Sequence, residues 1–132
     1  EFLNIPVYLK KSIQANQNYL KEISLFYNNK GTVSTAYRLA RKNAFIEIGN
    51  LMASFQRMSQ EPKSKQKKIV LLYKLTELNH SLLSSTASLG TYTQSHKTTP
   101  SSKALTIVVE KVLKNLEQAI TYLNGELIND PN

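Results

Sequence analysis

The sequence predicts an all-α fold, an antiparallel up-down four-helix bundle of long helices forming a single domain over residues 1–132. Three observations predict it. Apolar residues recur at helical spacings of three and four along four segments of about 25 residues each. The breaks between segments are short and contain Gly31, Pro62 and Pro100, residues that punctuate helices. No segment alternates with the period of two that marks a half-buried strand.

The first helix is expected from Leu3 to Tyr27, with Ile5, Leu9, Ile13, Leu20, Ile23 and Tyr27 on its seam and Asn16 among them. Pro6 fits only the first turn, where its missing N–H costs nothing. "NNKGT" (28–32) ends the helix, with Gly31 as the residue after the C-cap and Thr32 as the next N-cap. The second helix is expected from Val33 to Gln60, with Tyr37, Ala40, Ala44, Ile48, Leu51, Phe55 and Met58 inward. Gly49 weakens it by about 1 kcal/mol relative to Ala, and is expected to mark a close helix–helix approach. Glu61 precedes Pro62 and is biased away from helical angles, so the helix stops there.

The third helix is expected from Ser64 to Tyr92, with Ile69, Leu72, Leu75, Leu78, Leu82, Leu83, Thr86 and Leu89 forming a broad apolar face. "TQSHKTTPSSK" (93–103) reads as the one clear loop, and Ser101 or Ser102 can cap the next helix. The fourth helix is expected from Lys103 to Ile128 on a seam of Leu105, Val109, Val112, Leu116, Ile120, Leu123 and Leu127. Helices of matched length joined by short connections pack antiparallel to their neighbours in sequence.

The chain has no cysteine, which excludes a disulfide framework and a zinc–thiolate site. No apolar run approaches the roughly 20 residues of a membrane helix. The first residue is Glu rather than Met, and the chain is expected to be a piece of a larger protein. Its formal net charge is +8. Residues 1–60 carry eight Lys/Arg against three acids and residues 61–97 six against two, whereas residues 98–132 carry three against four. A field of this sign attracts phosphates, acidic lipid and acidic proteins. It equally suits a solvated surface, and charge alone does not separate the two.

Two basic clusters stand out. Arg38, Arg41 and Lys42 form a stripe near the start of the second helix, where cations oppose the helix dipole. They call for an anionic partner, or for Glu22 or Glu110 on neighbouring helices. Arg57, Lys63 and Lys65 belong to the basic turn "RMSQEPKSKQKK" (57–68). Neither a phosphate-cradling glycine loop nor a metal-ligand cluster is present, and no cofactor is expected. His80 and Ser84 stand four residues apart, but no acid orients the imidazole and no oxyanion hole is in view, so His80 is expected to be structural or solvated. His96 reads as a solvated loop residue. Among seven tyrosines, Tyr37, Tyr73, Tyr92 and Tyr122 lie near seams or helix ends, and packing is expected of them rather than base stacking.

The segments "AYRLARKNAFIEIGNLMASFQRMSQEPKSKQ" and "LNHSLLSSTASL" together resemble the C-terminal region of YccS-like, fusaric-acid-resistance-type (FUSC) bacterial inner-membrane proteins. The residues that carry the resemblance are Tyr37, Arg38, Arg41 and Lys42, then Gln56, Arg57, Met58, Glu61, Pro62 and Lys63, then Asn79, His80, Leu82 and Ser84, within about residues 35–92. The resemblance implies an accessory domain on the cytoplasmic face of the inner membrane, in a homo-oligomeric transporter whose membrane part exports aromatic acids or related compounds. The partners it implies are the rest of the parent protein and anionic inner-leaflet lipid. Excess Lys and Arg next to membrane spans fits this placement.

Three non-enzymatic functions are compatible with these features. The first is an accessory domain serving assembly or regulation. The second is a free-standing basic bundle on nucleic acid, which the resemblance disfavours. The third is a sensor of an anionic aromatic compound, with Arg38, Arg41 or Arg57 on its carboxylate. A pocket between helices beside one of these arginines would favour the sensor, and a continuous basic face the others.

Overall fold

A computed structural model describes the backbone of residues 4–29, 33–58, 66–95 and 103–129, and the side chains of 4–27, 33–58, 70–94 and 106–125. It contains four helices, α1 (Ile5–Asn29), α2 (Thr35–Met58), α3 (Gln66–Ser95) and α4 (Lys103–Asn129), and no strand among the described residues. These are the predicted four, displaced at their ends by up to three residues. The start of α2 has a definite cause. Ser34, not Thr32, is the N-cap, since its hydroxyl accepts the Tyr37 N–H at 3.0 Å and its carbonyl accepts the Arg38 N–H at 3.1 Å.

α1 packs against each of the other three helices, and α2 also touches α3. α1 is therefore a central helix and not one corner of a square. Its seam residues Ile5, Leu9, Ile13, Asn16, Leu20, Ile23 and Tyr27 are buried as predicted, and so are Ser12, Ala15, Gln17, Tyr19 and Phe26. Burial on so many sides is what a helix with three neighbours requires. The α2 seam also holds, with Tyr37, Ala40, Ala44, Ile48, Leu51 and Ser54 buried and Phe55 and Met58 packed against the core.

Two contacts set the direction of α3 relative to α1. Asn79 bonds to Ser12, and Gly90 faces Ile23, so equal steps along both helices keep them in touch and they run parallel. α2 runs against α3, since Tyr37 near its start meets Gln94 and Phe55 near its end meets Tyr73.

The buried side of α3 agrees with the one expected at Leu72, Leu83 and Thr86 and departs from it at Leu78, while the Ile69 side chain lies outside the described residues. Leu72, Thr76, Asn79, Leu83, Thr86 and Thr93 face inward, together with Gly90. The next line, one residue earlier at each step, holds Leu71, Leu75, Leu78, Leu82, Leu89 and Tyr92, and these are partly or largely exposed. Leu78, expected inside, is 67% exposed. The threonines can be buried because each hydroxyl is satisfied within its own helix. Thr76 donates to the Leu72 carbonyl, Thr86 to Leu82 and Thr93 to Gly90, at 2.8–2.9 Å.

Gly49 does not mark a helix contact. It is exposed, and a Cβ there would have nothing within 4 Å. The close approach is at Gly90, where α3 meets the tyrosine pair of α1 and α2. On α4, Val109, Ile120 and Leu123 are buried and Val112 and Leu116 partly so, in keeping with the described part of its predicted seam, while the Leu105 and Leu127 side chains lie outside the described residues.

Candidate functional site

The outward side of α2 gathers the basic residues singled out in the sequence. At 3.6 residues per turn, Arg38, Lys42, Phe45, Gly49, Met52 and Gln56 follow one line along the helix. Leu39, Ile46 and Arg57 flank it. All of these are exposed, and the apolar ones unusually so, since Leu39, Phe45, Ile46 and Met52 keep 45–54% of their surface in water. Glu47 is the only acid on the helix, and it turns away into a groove between α1 and α2 lined also by Lys11, Lys21 and Glu22. The outward side of α2 is therefore cationic and apolar together, with no carboxylate of its own.

Arg41 sits at the edge of this surface. Its guanidinium lies 5.7 Å from the centroid of the Phe45 ring, a cation–π arrangement, and its charge also acts on the nearby Tyr19 phenol. Arg38, Arg41, Lys42, Phe45 and Ile46 line a shallow recess of about 490 Å³. All five belong to α2, so the recess lies on the outside of one helix and not between helices. Among the described residues, Arg38, Arg41 and Lys42 form no ion pair, with Glu22 and Glu110 or with any other acid. Glu22 and Glu110, both described, leave the stripe unneutralised.

Beneath the stripe is an aromatic cluster. Tyr37 is buried and meets Tyr19 edge-on at 5.9 Å and Phe26 at 5.8 Å. Gln94 donates to the Tyr37 hydroxyl at 3.2 Å. Burial pushes the Tyr19 phenol above its ordinary value, and neighbouring Tyr37 adds to this while Arg41 opposes it. Tyr37 is thus a core residue that seats the α2 start and not a surface group. Of the other three tyrosines expected to pack, Tyr73 meets Phe55 edge-on at 5.8 Å while half exposed, and Tyr92 and Tyr122 are also exposed. The buried tyrosines besides Tyr37 are Tyr19 and Tyr27. Tyr19 lies three residues from the seam residue Asn16, a spacing that would have pointed to it.

The "NH…S" segment divides between two roles. Asn79 is buried, donating to the Ser12 hydroxyl at 2.6 Å and accepting from the Asn16 amide at 3.4 Å. His80 and Ser84 are exposed on the other side of α3. Among the described residues no cluster of three metal-ligating side chains occurs. Met58 packs against the core, whereas Gln56 and Arg57 are exposed. Glu61, Pro62, Lys63, Lys65 and His96 lie outside the described residues. The structure thus brings together Arg38, Arg41 and Lys42, extends their surface with four apolar residues that lie off the predicted seam, and sends Tyr37 and Asn79 inward.

The chain is 28% identical over 131 residues, 99% of its length, to the inner membrane protein YccS of Escherichia coli (strain K12). It spans 17% of that relative's length. The match extends over the first and last helices as well as the 35–92 segment that carries the resemblance, and it supports a relationship to YccS-like membrane proteins. No family model and no solved structure matches the chain. No described helix is long and apolar enough to cross a membrane.

Proposed function

We propose that this chain is a non-enzymatic accessory domain of a YccS-like inner-membrane protein, on the cytoplasmic face, with a role in assembly or regulation. The observation that carries this is the match across 99% of the chain to a small part of an inner membrane protein, 17% of its length, while no described helix can itself span a bilayer. In this reading the exporting path for aromatic acids or related compounds belongs to fusaric-acid-resistance-type membrane helices elsewhere in the parent, and this domain holds protomers together or responds to their state.

The recess beside Arg38 and Arg41 does not favour the sensor reading. It is open, and a single helix lines it, whereas small-molecule sites enclose most of their ligand. The continuous basic and apolar side of α2 favours a surface partner.

Fractionation of the native cells, probed with an antibody to this domain and followed by an alkaline carbonate wash, tests the proposal. Antigen retained in the washed membrane at a mass well above 14.9 kDa is the expected result. A small soluble antigen overturns it.

A further inference from the structure

We infer that α2 docks lengthwise on an anionic phospholipid surface through its outward side. The chemistry of that side identifies the occupant. A solvated surface accounts for cations but not for Phe45, Ile46 and Met52, each about half exposed among them. A partner nucleic acid accounts for the cations and leaves the aliphatic residues against phosphate and sugar. A bilayer interface offers both halves, phosphate headgroups for Arg38, Arg41 and Lys42 and an acyl boundary for the apolar side chains.

The geometry also points to one orientation of the helix on that surface. Arg38 and Arg57 stand at opposite ends of α2, about 28 Å apart along the axis at 1.5 Å per residue. A helix standing upright brings only one of them to a flat surface. The exposed Phe45, Ile46 and Met52 lie between them on the same side, so a helix lying flat engages the whole line. Glu47, the one acid on α2, faces the α1 groove and meets no headgroup. Arg41 is held at the edge by the Phe45 ring, which limits the freedom lost on docking.

This deepens the accessory-domain reading and rests on it for the presence of a membrane nearby. Vesicle binding is measured on the 132-residue chain itself, so its failure leaves the fractionation result standing. The assay is flotation with phosphatidylcholine vesicles, with and without about one-third phosphatidylglycerol, over a range of salt. Binding is expected only to the anionic vesicles, weakening as salt rises. Arg38→Gln, Arg41→Gln and Lys42→Gln together are expected to reduce it roughly 100-fold, from about 1 kcal/mol per cation near such a surface. Phe45→Ser, Ile46→Ser and Met52→Ser together are expected to reduce it at unchanged charge. These positions are exposed, and far-UV circular dichroism checks that each variant keeps its helix content.

Several results would overturn the inference. One is equal binding to neutral vesicles, and another is no binding at low salt. Full competition by millimolar inorganic phosphate would point to a discrete anion site. Loss of binding in the charge variant alone, with duplex DNA bound as tightly as vesicles, would assign the side to nucleic acid.

Discussion

A Cβ placed on Gly90 would lie 2.7 Å from the Tyr37 hydroxyl, and 3.3 Å from that of Tyr19. The meeting of three helices at this end of the bundle therefore depends on residue 90 having no side chain. The tyrosines have little room to retreat, because each ring packs edge-on against the other and Tyr37 also meets Phe26.

Gly90→Ala is expected to destabilise the fold by about 1–2 kcal/mol, an overpacking cost of roughly 1–3 kcal/mol offset in part by Ala's better helix propensity. Gly49→Ala meets nothing within 4 Å, and is expected to stabilise by up to about 1 kcal/mol. Urea unfolding midpoints check both, and two shifts of the same sign would contradict the packing described.

The Ser12–Asn16–Asn79 network joins α1 to α3 at one register. Asn79→Ala leaves the Asn16 amide and the Ser12 hydroxyl buried without this partner, at a cost of about 1–3 kcal/mol. The Asn16 Oδ1 is already buried without a partner. Replacing Asn16 and Asn79 together by Leu is therefore expected to cost less than the two single changes added. A double-mutant cycle measures this coupling, expected above about 0.5 kcal/mol.

Tyr19 gives alkaline stability a predictable sign. Its folded-state pKa lies above the ordinary 10.0, chiefly through burial. The folded state therefore holds the phenolic proton more tightly than the unfolded chain. That contribution is complete below the unfolded value and is lost as pH rises through the folded one. The stability of the native protein relative to Tyr19→Phe should thus fall as pH rises through the ordinary phenol value of 10.0 and beyond it. A difference that stays constant across this range would show that the phenol ionises equally readily in both states.

The two leucine lines of α3 should respond differently. Leu83→Ala removes a buried side chain and is expected to cost about 2–5 kcal/mol. Leu78→Ala, at a largely exposed position, should change stability by no more than about 0.5 kcal/mol. Thermal unfolding distinguishes them, and a large loss at Leu78 would place that residue inside the core.

Four helices and three of their seams were legible because a helix that buries one stripe repeats it every three or four residues. That signal is strong in α2, where Tyr37, Ala40, Ala44, Ile48 and Leu51 all went inward. On α3 it found Leu72, Leu83 and Thr86 but misled at Leu78, which is largely exposed, and it missed the buried Thr76 and Asn79. Hydrophobicity ranks side chains by their cost in isolation. Three threonine hydroxyls bonded to their own helix no longer carry that cost.

The basic stripe was equally legible, since Arg38, Arg41 and Lys42 meet on one side of any helix. Whether acids from other helices would neutralise it was not, because Glu22 and Glu110 lie on other helices. Periodicity and charge in the sequence alone thus determined an all-α bundle, its helix limits to within about one turn, and a cationic side on the second helix. The tertiary structure decided that α1 is central, that Gly90 and not Gly49 is the point of closest approach, and that the cations of α2 share their surface with exposed apolar residues. Each of these depends on which neighbour a side chain meets. Local spacing says which residues share a face, and only packing says what covers that face.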